Sequence, residues 1–314
     1  MFRFSFSQEI TDPQKQCEII RTQIDKLLNS EALCKLFELL KTDASSIEKM
    51  YGARKIPDGR VIEITEVESL ESLEPHRYRL YELFSELGFI NINKPQSINH
   101  DRVVVLGGTQ NAVYIRAKAA TEFINSSVKS VDGISCYRPI NPIERQKTSF
   151  EATSDTEFGI MSEVFCSALP IRITSHSDRF KSDRNLNSVS NVRTFECDPS
   201  QLECRIYAAP SSEPDIRRAD TGDSVLFYLD EGVAPDDRLL FITRNIYCNR
   251  QFLQIFHYMM KRDHIYSFDV VGCLPDDNLE NADDYEITKY IQELIALLSW
   301  ANKSIGDKKC LTSD

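Results

Sequence analysis

The apolar residues in the first part of the chain recur at helical spacing. Asp12 followed by Pro13 is a helix-start signal, because Asp caps a helix and Pro fits its first turn. Apolar residues then recur every three or four positions in two stripes over residues 12–41, and a third helix is predicted over about 75–87. The pattern therefore predicts a mainly helical N-terminal region over residues 1–87.

The pattern changes near residue 88, where apolar residues begin to form short continuous runs. Val103 to Leu106 are four consecutive apolar residues, which is typical of a strand buried on both faces. Strands are predicted at 103–106, 131–139, 223–231, 238–245 and 266–275, with helices starting near 113 and spanning 158–169, 248–261 and 285–301. This alternation predicts an α/β fold with a Rossmann-like, mostly parallel sheet flanked by helices.

One segment interrupts the alternation. Residues 172–220 are rich in Ser, Asp, Arg and Asn and have weak periodicity, although short strands such as CRIYAA fit within them. We interpret the segment as a loop-rich insertion. The predicted organisation is then a helical region at 1–87, a Rossmann-like domain at 88–280, and a C-terminal helix at 281–314 that packs on that domain.

The net charge and the distribution of cysteines limit which partners and which cellular compartment we expect. The net charge is -11, with no long basic run, which disfavours nucleic acid. The nine cysteines are scattered without a CxxC pair, so we expect buried free thiols in a reducing compartment, with Cys197 and Cys204 as the most exposed pair. No segment has the pattern of a signal peptide or a membrane span. We expect a soluble, cytoplasmic protein, and a bacterial effector with a different export route fits the same composition.

The first candidate site is the turn after the strand that ends at Leu106. In parallel sheets, ligands bind beyond the carboxyl ends of the strands. Gly107 and Gly108 would let the backbone approach a ligand closely, and Thr109 and Gln110 add side-chain donors at a helix start that offers N–H groups to an anion. The alternative is a tight strand-to-helix turn without a ligand.

Arginines flank this turn and the turn after the second predicted strand. Arg116 lies in the first helix after the glycines, Arg138 follows the strand directly, and Arg145 lies just beyond two prolines. A guanidinium can hold a phosphate or carboxylate through a forked contact. The alternatives are a solvated helix arginine at Arg116 and an ion pair between Arg138 and a nearby carboxylate.

A second polar cluster follows the strand at 238–245. Thr243, Arg244 and Asn245 end this strand, and Arg250 lies in the first turn of the next helix. A basic residue there opposes the helix dipole, which a surface tolerates and an anion site would use. We therefore predict that these four residues contribute to the anion site at the strand ends.

Glu163 is the only carboxylate that the sequence offers as an acid-base group. It lies inside an otherwise apolar helix and could bind a ribose hydroxyl, pair with an arginine, or act as a base. The alternative is the outward face of an amphipathic helix. The histidines show no HxH or HExxH spacing and there is no GxSxG motif, so neither a zinc site nor an α/β-hydrolase is predicted.

The motifs together resemble the SanA/YdcF-like family of bacterial proteins over residues 102–272. That family has an apolar strand ending in LGG, an Arg in the first helix, a Ser-Glu in a later helix and a Thr-containing strand end. The matching residues are Leu106-Gly107-Gly108, Arg116, Ser162-Glu163, and Thr243 with Tyr247 and Arg250. The resemblance implies a Rossmann-like fold that binds a nucleotide or S-adenosylmethionine.

Two functions from different classes remain open at this point. The first is a protein that binds an anionic small molecule at the strand ends, as a transferase or hydrolase if it is an enzyme. The second is a non-catalytic interaction protein or bacterial effector that uses the α/β core as a scaffold, with the helical N-terminus and residues 172–220 as partner surfaces. A nucleic-acid-processing role ranks last because the chain is acidic.

Overall fold

The computed structural model describes residues 1–6, 10, 12–52, 71–91, 94–97, 99–141, 150–198, 202–262, 266–273 and 287–306. The helices are α1 (Pro13–Leu28), α2 (Glu31–Leu40), α3 (Ile47–Tyr51), α4 (Arg77–Glu86), α5 (Gln110–Ala120), α6 (Glu157–Ala168), α7 (Thr221–Asp230), α8 (Cys248–Met259) and α9 (Ile287–Ile305). The strands are β1 (Arg102–Leu106), β2 (Ser130–Ser135), β3 (Arg172–Lys181), β4 (Ser190–Asp198), β5 (Glu203–Ala208), β6 (Arg238–Arg244) and β7 (Ser267–Cys273).

The seven strands form one mostly parallel sheet in the order β3-β4-β5-β2-β1-β6-β7. Strands β5, β2, β1, β6 and β7 run parallel to one another, and β4 is antiparallel to both of its neighbours, β3 and β5. After β2 the chain goes to the edge of the sheet, forms β3, β4 and β5 in order back towards β2, and then crosses to place β6 on the other side of β1. The prediction of an α/β fold with a Rossmann-like, mostly parallel sheet is confirmed.

Helices cover both faces of this sheet. Val103 and Val105 belong to a core that includes apolar residues of α5 and α6, whereas Val104 and Leu106 belong to a second core with α7, α8 and α9. Successive side chains of a strand point to opposite faces, so a strand between two helical layers is apolar at every position. Each fully buried valine contributes about 1.5–3 kcal/mol relative to an exposed one.

The N-terminal helices pack into the second of these cores. Asp12 caps α1 by accepting hydrogen bonds from the backbone N–H groups of Gln14 and Lys15, as the Asp12-Pro13 signal predicts. Apolar residues of α1, α2 and α4 share this core with α8 and α9. The three helices predicted for this region are therefore confirmed, and they share the core on the face of the sheet that α7 and α8 contact.

The prediction of a strand at 223–231 is wrong, because this segment forms helix α7. Asp220 accepts from the backbone N–H of Asp223, and Asp223 accepts from the backbone N–H of Asp220. This reciprocal capping box satisfies two N–H groups that a helix start would leave without partners. A continuous apolar run fits either a buried strand or a buried helix, and here the capping box favours the helix.

The expectation of a loop-rich insertion at 172–220 is also corrected. The segment supplies β3, β4 and β5, which form one side of the main sheet. The CRIYAA strand is confirmed as β5, which pairs in parallel with β2. The sequence hides β3 because nearly all of its side chains are exposed, so no apolar periodicity marks it.

A buried ionic cluster closes the amino end of the sheet. Arg102 donates from Nε to Asp237 at 2.5 Å and from Nη2 to the carbonyl of Gly232 at 3.0 Å. Asp132, which is fully buried, accepts from the hydroxyl of Tyr228 at 2.7 Å, and burial raises its pKa. Buried charges need such partners, because an unpaired ion inside a protein costs several kcal/mol.

The cysteines follow the expectation only in part. Cys136, Cys204, Cys248 and Cys273 are buried free thiols, but Cys204 is not exposed as expected, and Cys17 is disulfide-bonded rather than free. Among the described residues, the exposed free thiols are instead on α2 and α6, at positions 34 and 166. In the part of the chain that the structure describes, no helix is long and apolar enough to cross a membrane.

Candidate functional site

The carboxyl edge of the sheet gathers most of the residues that the sequence singled out. The turns after β1, β2 and β6 all lie there, because these strands are parallel neighbours. The strand order reverses between β1 and β6, since β1 connects through α5 to β2 on one side and β6 joins it on the other. Open α/β sheets bind their ligands in the crevice at this position.

Gly107 and Gly108 have different structural roles in the turn after β1. A Cβ on Gly107 would overlap Oε1 of Glu157 and would lie 2.9 Å from the carbonyl oxygen of Ile134. A Cβ on Gly108 would lie 3.1 Å from Nη1 of Arg116 and 3.5 Å from the Cβ of Ala112. Gly107 therefore makes room for a carboxylate of the protein itself, whereas Gly108 is less crowded.

The side chain of Arg116 lies under this turn. It is 3% exposed and donates from Nη1 to the carbonyl oxygens of Leu106, at 2.8 Å, and of Gly107. These contacts hold the end of β1 against α5. The alternative that Arg116 is a solvated helix arginine is therefore wrong. Its guanidinium places a positive charge directly beneath the glycine turn.

Tyr247 lies at the centre of a group of arginines. The guanidinium carbons of Arg116 and Arg250 lie 5.9 Å and 5.5 Å from the centre of its ring, and Arg244 is a further charged neighbour. Burial raises the pKa of the Tyr247 hydroxyl, nearby Glu293 adds to the rise, and the three arginines oppose it. The elements β6, α5 and α8 thus place three guanidiniums around one aromatic ring.

Arg250 is tied to α9 by a buried ion pair. Its Nε donates to Glu293 at 2.6 Å, and its Nη1 donates to Gln254 at 3.1 Å. Glu293 is 1% exposed, so its charge is compensated by Arg250 rather than by water. This contact explains why a basic residue is tolerated in the first turn of α8.

Arg138 forms an ion pair at the end of β2 with a carboxylate that the sequence analysis missed. Its partner is Glu157, the first residue of α6, rather than a residue of the adjoining loop. The Cys136 thiol lies 4.0 Å from the same carboxylate, and burial together with Glu157 raises its pKa to about 12. An acidic residue in the first turn of a predicted helix was the available signal for Glu157.

Glu163 lies away from this cluster. Its carboxylate accepts from the backbone N–H groups of Thr153 and Ser154, at 2.7 Å and 2.8 Å, and from the Thr153 hydroxyl at 2.9 Å. It is six residues from Glu157 along α6, or about 9 Å of helix. The structure thus gives Glu163 the role of holding the loop before α6, and its acid-base role stays a prediction.

The remaining predicted residues line the same edge. Thr109 caps α5 by accepting from the backbone N–H of Ala112 at 3.4 Å, and buried Gln110 donates to the carbonyl of Phe150. Thr243 is fully buried, and no described residue pairs with its hydroxyl. Asn245 donates to the carbonyl of Ile90 at 3.0 Å.

One predicted site residue cannot be placed in the cluster. Arg145 lies outside the described residues. Among the residues that are described, no group of His, Cys, Asp and Glu side chains has the arrangement of a metal site.

The geometry joins these groups into one continuous cluster. From β2 to α9 it runs through Arg138, Glu157, Gly107, Arg116, Tyr247 with Arg244, Arg250 and Glu293. Among the described residues, this cluster contains four arginines and two carboxylates, in a chain whose net charge is -11. Clustered charge of one sign raises the local concentration of counter-ions.

Comparison with protein-family models, with curated proteins and with solved structures gives no match. The chain is an α/β protein with a mostly parallel, helix-flanked sheet and a basic cluster at its carboxyl edge. The resemblance to the SanA/YdcF-like family stays a prediction.

Proposed function

We propose that this protein binds a small molecule through an anionic group, either the phosphates of a nucleotide or the carboxylate of a nucleotide-like cofactor such as S-adenosylmethionine, in the crevice between the ends of β1 and β6. The observation that carries the proposal is the group of Arg116, Arg244 and Arg250 around Tyr247 at the reversal of strand order. Interactions between a guanidinium and an anion are strong where the surroundings are partly desolvated.

The first turn of α5 supports the same location. The N–H groups at a helix start point along the axis and attract an anion, and α5 starts directly after Gly108. Arg116 fixes this turn from beneath through the carbonyls of Leu106 and Gly107. A phosphate beside Gly108 would therefore meet a backbone that Arg116 holds in place and backbone N–H groups that favour a negative charge.

Arg244 is the residue through which the proposal is best tested. Arg116 and Arg250 hold secondary-structure elements in place, so their removal would disturb the fold as well as the site. Arg244 is only partly buried and ends β6 at the crevice. Calorimetric titration with ATP, pyrophosphate and S-adenosylmethionine should give binding to the wild-type protein, weakened roughly tenfold or more in R244Q because a charged hydrogen bond is lost.

The matched control is R79Q, which removes an exposed arginine on α4 and should leave affinity unchanged. Absence of binding for all three compounds at millimolar concentration would refute the proposal. Equal affinities of wild type and R244Q would refute the location. A transferase or hydrolase step at the same site is a separate proposal.

A further inference from the structure

Strand β3 is an unusual edge strand. It is ten residues long, and nearly every side chain on both of its faces is exposed. It pairs with β4 along one edge, and in the described part of the chain it is the last strand of the sheet. A long edge strand presents a row of backbone N–H and C=O groups that another strand can pair with.

The opposite edge of the sheet is covered by the chain itself. Arg3 donates to the carbonyl oxygens of Val270 at 3.1 Å and of Lys94, and it forms an ion pair with Asp269 of β7. The backbone N–H of Gln96 donates to the same carboxylate at 2.6 Å. No described segment covers β3 in this way. One edge of the sheet is therefore contacted by other parts of the chain, and the described residues leave the other edge exposed.

We propose that the free edge of β3 pairs with β3 of a second copy of this chain, antiparallel and about a twofold axis at Ser177. The two sheets then form one continuous sheet through both copies. A twofold antiparallel pair of identical strands places one residue opposite itself, and its neighbours in reciprocal pairs. The choice of axis therefore decides which side chains meet.

The charges of β3 favour Ser177 as the centre. The pairing with β4 is regular from Ser175 to Lys181, after a register shift between Ile173 and Ser175. An axis at Asp178, the middle of this stretch, would bring two carboxylates opposite each other, each of which already accepts two hydrogen bonds from Arg193 of β4. An axis at Ser177 places His176, whose ring N–H can donate a hydrogen bond, opposite Asp178 twice, and Ser175 opposite Arg179 twice, so that no like charges face each other. Opposite-charge pairs stabilise neighbouring strands, and like charges destabilise them.

The exposed aromatic ring of β3 fits the same arrangement. Phe180 is 55% exposed, although its ring contacts Tyr137 at a centroid distance of 5.9 Å. In the Ser177-centred pair it lies opposite Thr174 of the other copy, which would cover part of the exposed ring. The inference does not depend on ligand binding at the carboxyl edge, because β3 contributes none of the residues of that cluster.

Sedimentation velocity across micromolar concentrations tests the proposal with S177D. Ser177 is exposed, so the change leaves the packing of one copy intact, but in the pair it opposes two carboxylates beside the two Asp178 groups. The wild type should be a dimer, and S177D should weaken dimerisation on the order of tenfold. The matched control S126D adds the same charge at an exposed turn before β2 and should remain dimeric.

A crosslink measures the register directly. S177C should form an intermolecular disulfide across the twofold axis under mild oxidation by oxidised glutathione, in which two thiols are oxidised and glutathione is reduced. S126C should show only the background of the wild-type protein. A wild type that stays monomeric, or an S177D variant that dimerises as well as the wild type, would overturn the inference.

Discussion

At the scale of single residues, the turn after β1 needs space at Gly107 for the carboxylate of Glu157, and it holds the positive charge of Arg116 beneath it. Gly107 allows the Glu157 carboxylate to lie against the main chain, and that carboxylate holds Arg138. Arg116 satisfies two carbonyl oxygens of the same turn from below. Neither glycine of this turn has a positive φ, so space rather than backbone conformation explains why Gly107 has no side chain.

Replacing the two glycines one at a time should separate their roles. G107A should lower the free energy of unfolding by about 2 kcal/mol, because its Cβ forces Glu157 away from its place beside Arg138. G108A should cost less than about 1 kcal/mol, since only the flexible tip of Arg116 must shift. Urea denaturation measures both values, and equal costs for the two variants would contradict this account of the turn.

The candidate residues could be predicted from the sequence better than their partners could. The glycine pair and the arginines stand out because they follow apolar strands, and the turn and four of the arginines do lie at one edge. The contacts that satisfy them could not be predicted. Arg138 pairs with Glu157, nineteen residues away, and Arg250 pairs with Glu293 on the last helix. Such pairs depend on how helices pack across a sheet, which no local pattern specifies.

At the scale of elements, capping decides one segment that hydrophobicity leaves ambiguous. Residues 225–229 are a continuous apolar run, which fits a strand by composition. The capping box of Asp220 and Asp223 makes the segment start a helix instead. Asp223 also forms an ion pair with Arg217 at 2.6 Å, which anchors the start of α7 to the preceding loop.

Removing this cap should destabilise the protein through α7. D220A should lower the free energy of unfolding by about 1 kcal/mol, the usual cost of losing an N-cap side chain. The exposed neighbour Asp236 supplies a control, because D236A makes the same change outside a helix start. Chemical denaturation followed by far-UV circular dichroism measures both, and an unchanged D220A would contradict the capping role.

The element predictions succeeded where a segment buries a regular face and failed elsewhere. Strands β1, β6 and β7 and helices α1, α2, α8 and α9 carry apolar patterns, and all are confirmed. Strand β3 has no such pattern, because both of its faces are exposed and its sequence reads as a loop. Its place in the sheet comes from pairing with β4, a non-local interaction.

At the scale of the whole molecule, the charged side chains are arranged differently at the two ends of the sheet. The amino end holds a buried cluster in which Arg102 and Lys129 both contact Asp237, the latter at 2.9 Å. Burial alone would raise the pKa of Asp237, but Arg102 and Lys129 lower it below its ordinary value of 3.8. At the carboxyl end, the described residues include the ion pairs Arg138–Glu157 and Arg250–Glu293, with Arg116 and Arg244 beside them.

The amino-end cluster makes stability depend on pH in a defined direction. An acid whose pKa is lowered by folding stabilises the fold above its unfolded pKa, and this contribution is lost as pH falls through the folded pKa. D237N should therefore be about 3 kcal/mol less stable than wild type at pH 7, with the difference shrinking only below about pH 3.8. Urea titrations at several pH values measure it, with D236N as the exposed control.

A difference between wild type and D237N that stayed constant down to pH 2.5 would contradict this assignment. A difference that vanished already at pH 6 would contradict it as well, because the ionisation responsible would then belong to another group.

The central claim is that an anion binds where the strand order reverses, and a crystal structure with the tightest-binding of the three test compounds examines it most directly. The account predicts that the anionic group lies above Gly108 and the first turn of α5, within hydrogen-bond distance of Arg244. A ligand located elsewhere, or an empty crevice in crystals grown at a saturating ligand concentration, would contradict it.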